Sequence, residues 1–161
     1  MSATHQLQFN GGLLQRGFWL YVWEVTQPDR TVLYYVGRTG DSSSINAQSP
    51  FTRMGQHLGF AANSNMLRTH LAKWNADPEA CSFRLIARGP ILEEARSREQ
   101  HHERRDIVAA MERALACALA DAGCVVMNEV SCRKPLDESA FAKIRLAFAA
   151  EIPALGASGR V

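Results

Sequence analysis

Glu112 is a carboxylate set into the most apolar helix that the sequence offers. The run from 107 to 122 reads IVAAMERALACALADA, and at helical spacing Val108, Leu115, Ala116 and Leu119 are its one-turn and two-turn neighbours. Taking an ionised carboxylate out of water is costly unless a cation or a set of donors compensates, so this residue needs a partner. An arginine would make it half of a structural ion pair, with Arg113 or a buried arginine as the candidates; a metal ion would make it a ligand, and both together are compatible with the pattern. Arg53 and His57 stand four residues apart on one face of a helix, a cation beside a proton carrier, although a plain surface pair has the same spacing. Tyr35 and Gly37 close an aromatic strand, a pattern that by itself belongs to a core. His101, His102 and Asp106 lie among Glu99, Glu103, Arg104 and Arg105 and are expected to form a solvated charged face rather than a metal cluster. Arg38, Arg84 and Arg88 are candidates for tracking a nucleic-acid backbone, with interleaved glutamates diluting the wider basic set.

The elements that must position these groups follow from the local patterns. Residues 18 to 26, FWLYVWEVT, and 32 to 38, VLYYVGR, are rich in aromatic and β-branched side chains and flank QPDRT, so they predict a hairpin. Alternation puts Trp19, Tyr21 and Trp23 on one face of the first strand, and Leu33, Tyr35 and Gly37 on one face of the second. TGDSSSINAQS is a polar surface loop; Ser49 followed by Pro50 then starts a short helix carrying Arg53 and His57. A second helix is expected over 65 to 74, ending before Asp77-Pro78, with Trp74 in the core. CSFRLIARG, 81 to 89, alternates as a strand with Phe83, Leu85 and Ala87 inward, although an outward Ile86 fits poorly. From 91 to 122 the pattern is helical, with Glu94 and Arg98 as an i,i+4 pair and Gly123 as its cap. CVVMNEV is a short apolar exit, and 137 to 152 forms a last amphipathic helix with Phe141, Ile144, Leu146 and Phe148. The order β-β-α-α-β-α-α predicts an α/β (α+β) fold, a small three-stranded, mainly antiparallel sheet flanked by helices.

A chain of 161 residues with a formal charge of +2 suits one compact domain, mildly basic and therefore compatible with a polyanion. The four cysteines form no CxxC pair and have no finger-like spacing with the histidines, which argues for free thiols rather than structural zinc. The N-terminal MSATHQLQFNGGLLQRG has neither the basic start nor the apolar run of a signal peptide, and no segment approaches a membrane span, so a soluble cytoplasmic protein is expected.

Taken in order, WLY at 19 to 21, YVG at 35 to 37, Arg53 with His57, Glu112 in a helix and Asn128 beyond it resemble the GIY-YIG endonuclease family over residues 18 to 130. The resemblance implies a tail at 1–16, a nuclease domain at 17–130, and a C-terminal helix and tail at 131–161 packed on that domain. It implies DNA, double-stranded or branched, as substrate, and one divalent ion, Mg2+ or Mn2+, held by Glu112. Tyr21 matches a tyrosine placed beside the scissile phosphate as a hydrogen-bonding group or general base. Tyr35 and Gly37 match a site-lining tyrosine and a glycine that lets a backbone approach closely. Arg53 matches the arginine that stabilises phosphate charge, His57 a site histidine of variable role, and Asn128 a supporting polar residue. Here the first motif is WLY rather than GIY, and a serine-rich insert separates YVG from the arginine helix. No appended DNA-reading motif remains, so specificity is expected from the insert, the basic helix, the C-terminal helix, a homo-oligomer or a partner protein. Two other readings fit the same residues: a nucleic-acid-binding or regulatory module without turnover, and an interaction domain in which Glu112 and Arg53 form a buried structural pair.

Overall fold

The computed structural model describes residues 2–62 and 65–157; the last residues of the expected C-terminal tail, 158–161, and Met1 of the N-terminal tail lie outside the described residues. The hairpin forms as expected from its β-branched and aromatic composition: β1 spans Phe18–Thr26 and β2 spans Val32–Arg38, antiparallel, with Tyr21 opposite Gly37 and Trp23 opposite Tyr35. Ser49 caps the next helix, α1 (Pro50–Leu58), by accepting from the Thr52 amide, with Pro50 at the first helical position. α2 is Met66–Lys73, β3 is Ser82–Leu92, α3 is Arg98–Asp121, β4 is Val125–Val126, α4 is Glu138–Glu151 and α5 is Ala154–Ala157.

The sheet has four strands in the order β3-β1-β2-β4, not the three expected. The added member, β4, pairs parallel to β2 through Leu33 with Val125 and Tyr34 with Val126. Two residues are too few to give a period, so nothing in CVVMNEV separates this strand from an apolar exit. β3 also runs three residues beyond the expected end, through Pro90 to Leu92. It is an edge strand, where the missing proline N–H costs the ladder nothing. The long helix therefore starts at Arg98, where the Ser97 hydroxyl accepts from the Gln100 amide. Glu94, outside the helix, pairs with Arg16 at 2.8 Å rather than with Arg98.

Both faces of the sheet are covered, which explains why β1 reads as a continuous apolar run. Leu20, Val22, Val36 and Ile86 pack toward Val108, Leu115 and Leu119 of α3 and Phe141, Ile144 and Phe148 of α4. Tyr21, Trp23, Val25, Tyr35, Phe83 and Leu85 pack toward Leu58 of α1 and Leu67 and Leu71 of α2. Ile86 thus has a core of its own, and the awkwardness of an outward isoleucine disappears. Trp74, expected in the core, is exposed, as is Leu146 among the apolar members of α4. All four cysteines are free thiols, and no helix among the described residues is long and apolar enough to cross a membrane.

Candidate functional site at the end of the hairpin

Tyr21, Tyr35, Arg38, Arg53, His57 and Glu112 gather around one end of the β1–β2 hairpin, with α1 on one face and α3 on the other. Gly37 sits directly across from Tyr21, and a Cβ there would lie 2.6 Å from the phenolic oxygen. The glycine is required, but what approaches it is the Tyr21 ring rather than a substrate backbone. The Tyr21 hydroxyl meets His57 Nε2 at 2.6 Å, and Tyr35 sets its ring against the same imidazole at 5.2 Å between centroids and against His70 at 5.5 Å.

One helical turn before His57, Arg53 directs Nη2 to Asp41 Oδ2 at 3.0 Å and Nη1 to Gln56 Oε1 at 3.2 Å. Arg38, at the end of β2, crosses to α3 and donates Nε–H to Glu112 Oε2 at 2.8 Å. The cation demanded by Glu112 is therefore Arg38, not Arg113 or Arg53. Asn128 brackets Val36: Oδ1 accepts from its amide at 3.0 Å and Nδ2 donates to its carbonyl at 2.8 Å. It thereby fixes the strand that carries Tyr35, Gly37 and Arg38.

Burial sets the protonation states. It pushes the Tyr21 phenol far above its ordinary range, against the opposing charge of Arg53. Tyr35 is pushed up to about 12 by burial and then by Glu112. His57 is driven down to about 4, by burial first and the Arg53 guanidinium second. Glu112 is raised by burial, with Arg38 pulling the other way. Burial works against the charge on Arg53, yet Tyr21 and Asp41 outweigh it and hold its pKa above the usual value. At neutral pH a neutral phenol is consequently hydrogen-bonded to a neutral imidazole.

The group has two layers. Tyr21 and His57 are each only 1% exposed and Tyr35 is 7% exposed, so Tyr21 has no direct contact with solvent, contrary to its expected place beside a phosphate. The outer layer is ionic: the side chains of Arg38, Glu112, Arg53 and Asp41 are 16%, 15%, 19% and 42% exposed. Among the described residues, three nitrogens of this group are buried without a hydrogen-bond partner: Arg38 Nη1, Arg53 Nε and His57 Nδ1. A groove of about 620 Å³ beside α3 includes Asn128, but none of Tyr21, Tyr35, Arg53, His57 or Glu112 is in its wall.

Arg84 and Arg88 do not join this cluster. Both lie on edge strand β3, separated from β2 by β1. Arg84 is engaged by Glu151 and lies 3.7 Å from Glu24, while Arg88 lines a separate groove with Lys143. Asp41 and the role of Arg38 were not legible in the sequence, and neither was His101, which is fully buried against Phe18 and holds the Ser42 carbonyl at 2.9 Å through Nε2. That contact ties the loop carrying Asp41 to α3, so the expected solvated face is interrupted at His101. A lone acid and a lone histidine in polar surroundings give no periodic signal.

Among the described residues no group of three or more His, Cys, Asp or Glu side chains gathers to hold a metal ion. Arg38 takes Glu112 Oε2 and, among the described residues, no hydrogen bond engages Oε1, an arrangement compatible with a one-carboxylate magnesium site. Magnesium retains water and takes substrate phosphate oxygens, so it needs few protein ligands. The chain matches no family model, no curated protein and no solved structure.

Proposed function

We propose that this chain is a divalent-metal-dependent DNA endonuclease of the GIY-YIG type, with the outer ionic layer as its phosphate-binding surface. The observation that carries this reading is the pair of arginines at the hairpin end, each with a buried N–H that lacks an acceptor. Unpaired buried donors are costly, and a phosphate, rich in acceptors and matched to the guanidinium fork, is the group that would satisfy them.

Arg53 stabilises the negative charge that develops on nonbridging oxygens, and releases Asp41 to do so. Tyr21 and His57 act from behind: their hydrogen bond joins β1 to α1 and holds the turn of helix that presents Arg53. Glu112 would hold the metal, with Arg38 fixing Oε2 and so orienting the carboxylate. The chemistry such an ion would supply is Lewis-acid charge at the phosphate. Asn128 keeps β2 in register beneath both.

A second reading, a nucleic-acid-binding module without turnover, is favoured by the Arg38–Glu112 ion pair, which already neutralises the carboxylate, and by the burial of Tyr21. Supercoiled plasmid incubated with the protein and Mg2+ or Mn2+ separates the two. The expected outcome is nicking or linearisation by wild type, with Arg53→Ala and Glu112→Ala each slowing it by at least ~10²-fold, as for loss of a preorganised charge-stabilising donor. Absence of cleavage with retained, salt-sensitive DNA binding selects the second reading. Absence of both overturns the two together.

A further inference from the structure

Phe60, just past the end of α1, is 82% exposed, the most solvent-facing large apolar side chain among the described residues. It is not a loose side chain on an open surface. The Arg68 guanidinium lies 4.3 Å from its ring centroid, and Arg68 is itself fixed because Nε and Nη2 both donate to the Leu58 carbonyl, at 3.1 and 2.9 Å. One face of the ring is therefore backed by a cation that α2 supplies and the last carbonyl of α1 holds in place.

The surrounding sequence is one-sided in charge. From Ser42 to Ala76 the chain contains the cations Arg53, Arg68 and Lys73 and no aspartate or glutamate; His57 and His70 are held toward the neutral form, and Asp41, just before the stretch, pairs with Arg53. An exposed aromatic in a stretch with a balanced charge would suit a protein partner; one in an acid-free cationic stretch suits a polyanion that carries flat aromatic units. Arg53 and Phe60 belong to one short segment: Arg53 lies in α1, about one and a half turns before its last residue, Leu58, and Phe60 follows two residues later.

We infer that Phe60, backed by Arg68, is a stacking surface for an unpaired base of the nucleic acid whose phosphate is bound at Arg53. This rests on the nucleic-acid reading above and adds substrate form to it: a strand with at least one unstacked base, as in single-stranded or branched DNA. Base–aromatic stacking is sequence-tolerant because every base presents a π face, and the guanidinium beneath the ring contributes its own attraction. The surface thus selects for the absence of pairing rather than for a sequence.

The test is fluorescence anisotropy with a labelled single-stranded oligonucleotide and the matching blunt duplex, using wild type, Phe60→Ala, Phe60→Leu and Phe60→Tyr. Phe60→Ala and Phe60→Leu should weaken single-strand binding by about 5- to 100-fold, the range that one stacked base provides. Phe60→Tyr should retain it, blunt-duplex affinity should not change, and the dependence of log affinity on log salt should keep its slope because no phosphate contact is lost. The exposure of Phe60 leaves the core untouched, which circular dichroism checks for each variant. If wild type binds the single strand and Phe60→Ala binds it equally, or Phe60→Leu equals wild type, the stacking surface is overturned while the function reading stands. If Phe60→Ala changes only self-association in sedimentation, the patch is an interface between copies and the inference is likewise overturned. If wild type binds neither DNA, the function reading fails and the inference fails with it.

Discussion

His57 is held neutral in a place where a charge would be expensive, with Tyr21, Tyr35 and Arg53 around it and Asp41 beyond Arg53. Its pKa falls from an ordinary 6.5 to about 4 on folding, so below pH 6.5 the unfolded chain takes up a proton that the native state refuses. The stability associated with the neutral imidazole is complete above pH 6.5, declines as the pH falls toward 4, and changes no further once both states are protonated. At ~1.4 kcal/mol per unit the decline amounts to about 3 kcal/mol. Urea midpoints measured from pH 7.5 to 4 should fall more for wild type than for His57→Gln, which has no proton to take up; equal slopes would remove the imidazole from this role. Tyr21, Tyr35, Arg53, His57 and Glu112 could be singled out together in the sequence because their order on regular elements resembles that of the GIY-YIG family; each spacing alone has a plain structural reading. Their layering was not, because burial of Tyr21 beneath Arg53 depends on α1 lying across the hairpin, and Asp41 reaches Arg53 from a loop without periodicity.

At the level of elements, α1 and the hairpin were readable from chemistry that acts within a few residues: a serine cap followed by proline, and strand composition around a proline-aspartate turn. β4 was not, since its existence depends on pairing with a strand about ninety residues earlier. Asn128 completes what this short strand begins. Backbone pairing with β2 ends at the bond from the Met127 amide to the Tyr34 carbonyl, and the carboxamide then takes the Val36 amide and carbonyl in place of a further strand residue. Val36 is fully buried, so loss of that side chain strands two backbone groups away from water. Asn128→Ala should cost about 1–3 kcal/mol for each group left unsatisfied, and the Val36 amide should exchange faster with solvent deuterium. Asn128→Asp should fall between the two, because a carboxylate accepts from the amide but cannot donate to the carbonyl. Unchanged exchange at Val36 would show that water replaces the carboxamide without loss.

Across the described molecule, one sheet carries two cores, and α4 and α5 belong to the first of them. Phe141, Ile144 and Phe148 of α4 meet Leu115 and Leu119 of α3, the helix whose Glu112 reaches Arg38. α4 is therefore part of the layer that presses α3 onto the hairpin and sets how far the carboxylate stands from the arginine. Phe148 is 1% exposed, and a buried phenylalanine cut to alanine costs about 3–5 kcal/mol. Against a typical total of ~5–15 kcal/mol for a domain, that is a large share. Phe148→Ala should lower the thermal midpoint in one transition, with far-ultraviolet ellipticity and tryptophan fluorescence moving together, because Trp19 and Trp23 lie on the sheet that both cores share. It should also weaken the proposed DNA binding at temperatures where the chain is still folded, since α3 loses part of its support. Two separated transitions, with the tryptophan signal unaffected by the first, would instead make α4 an appendage and leave the position of Glu112 independent of it.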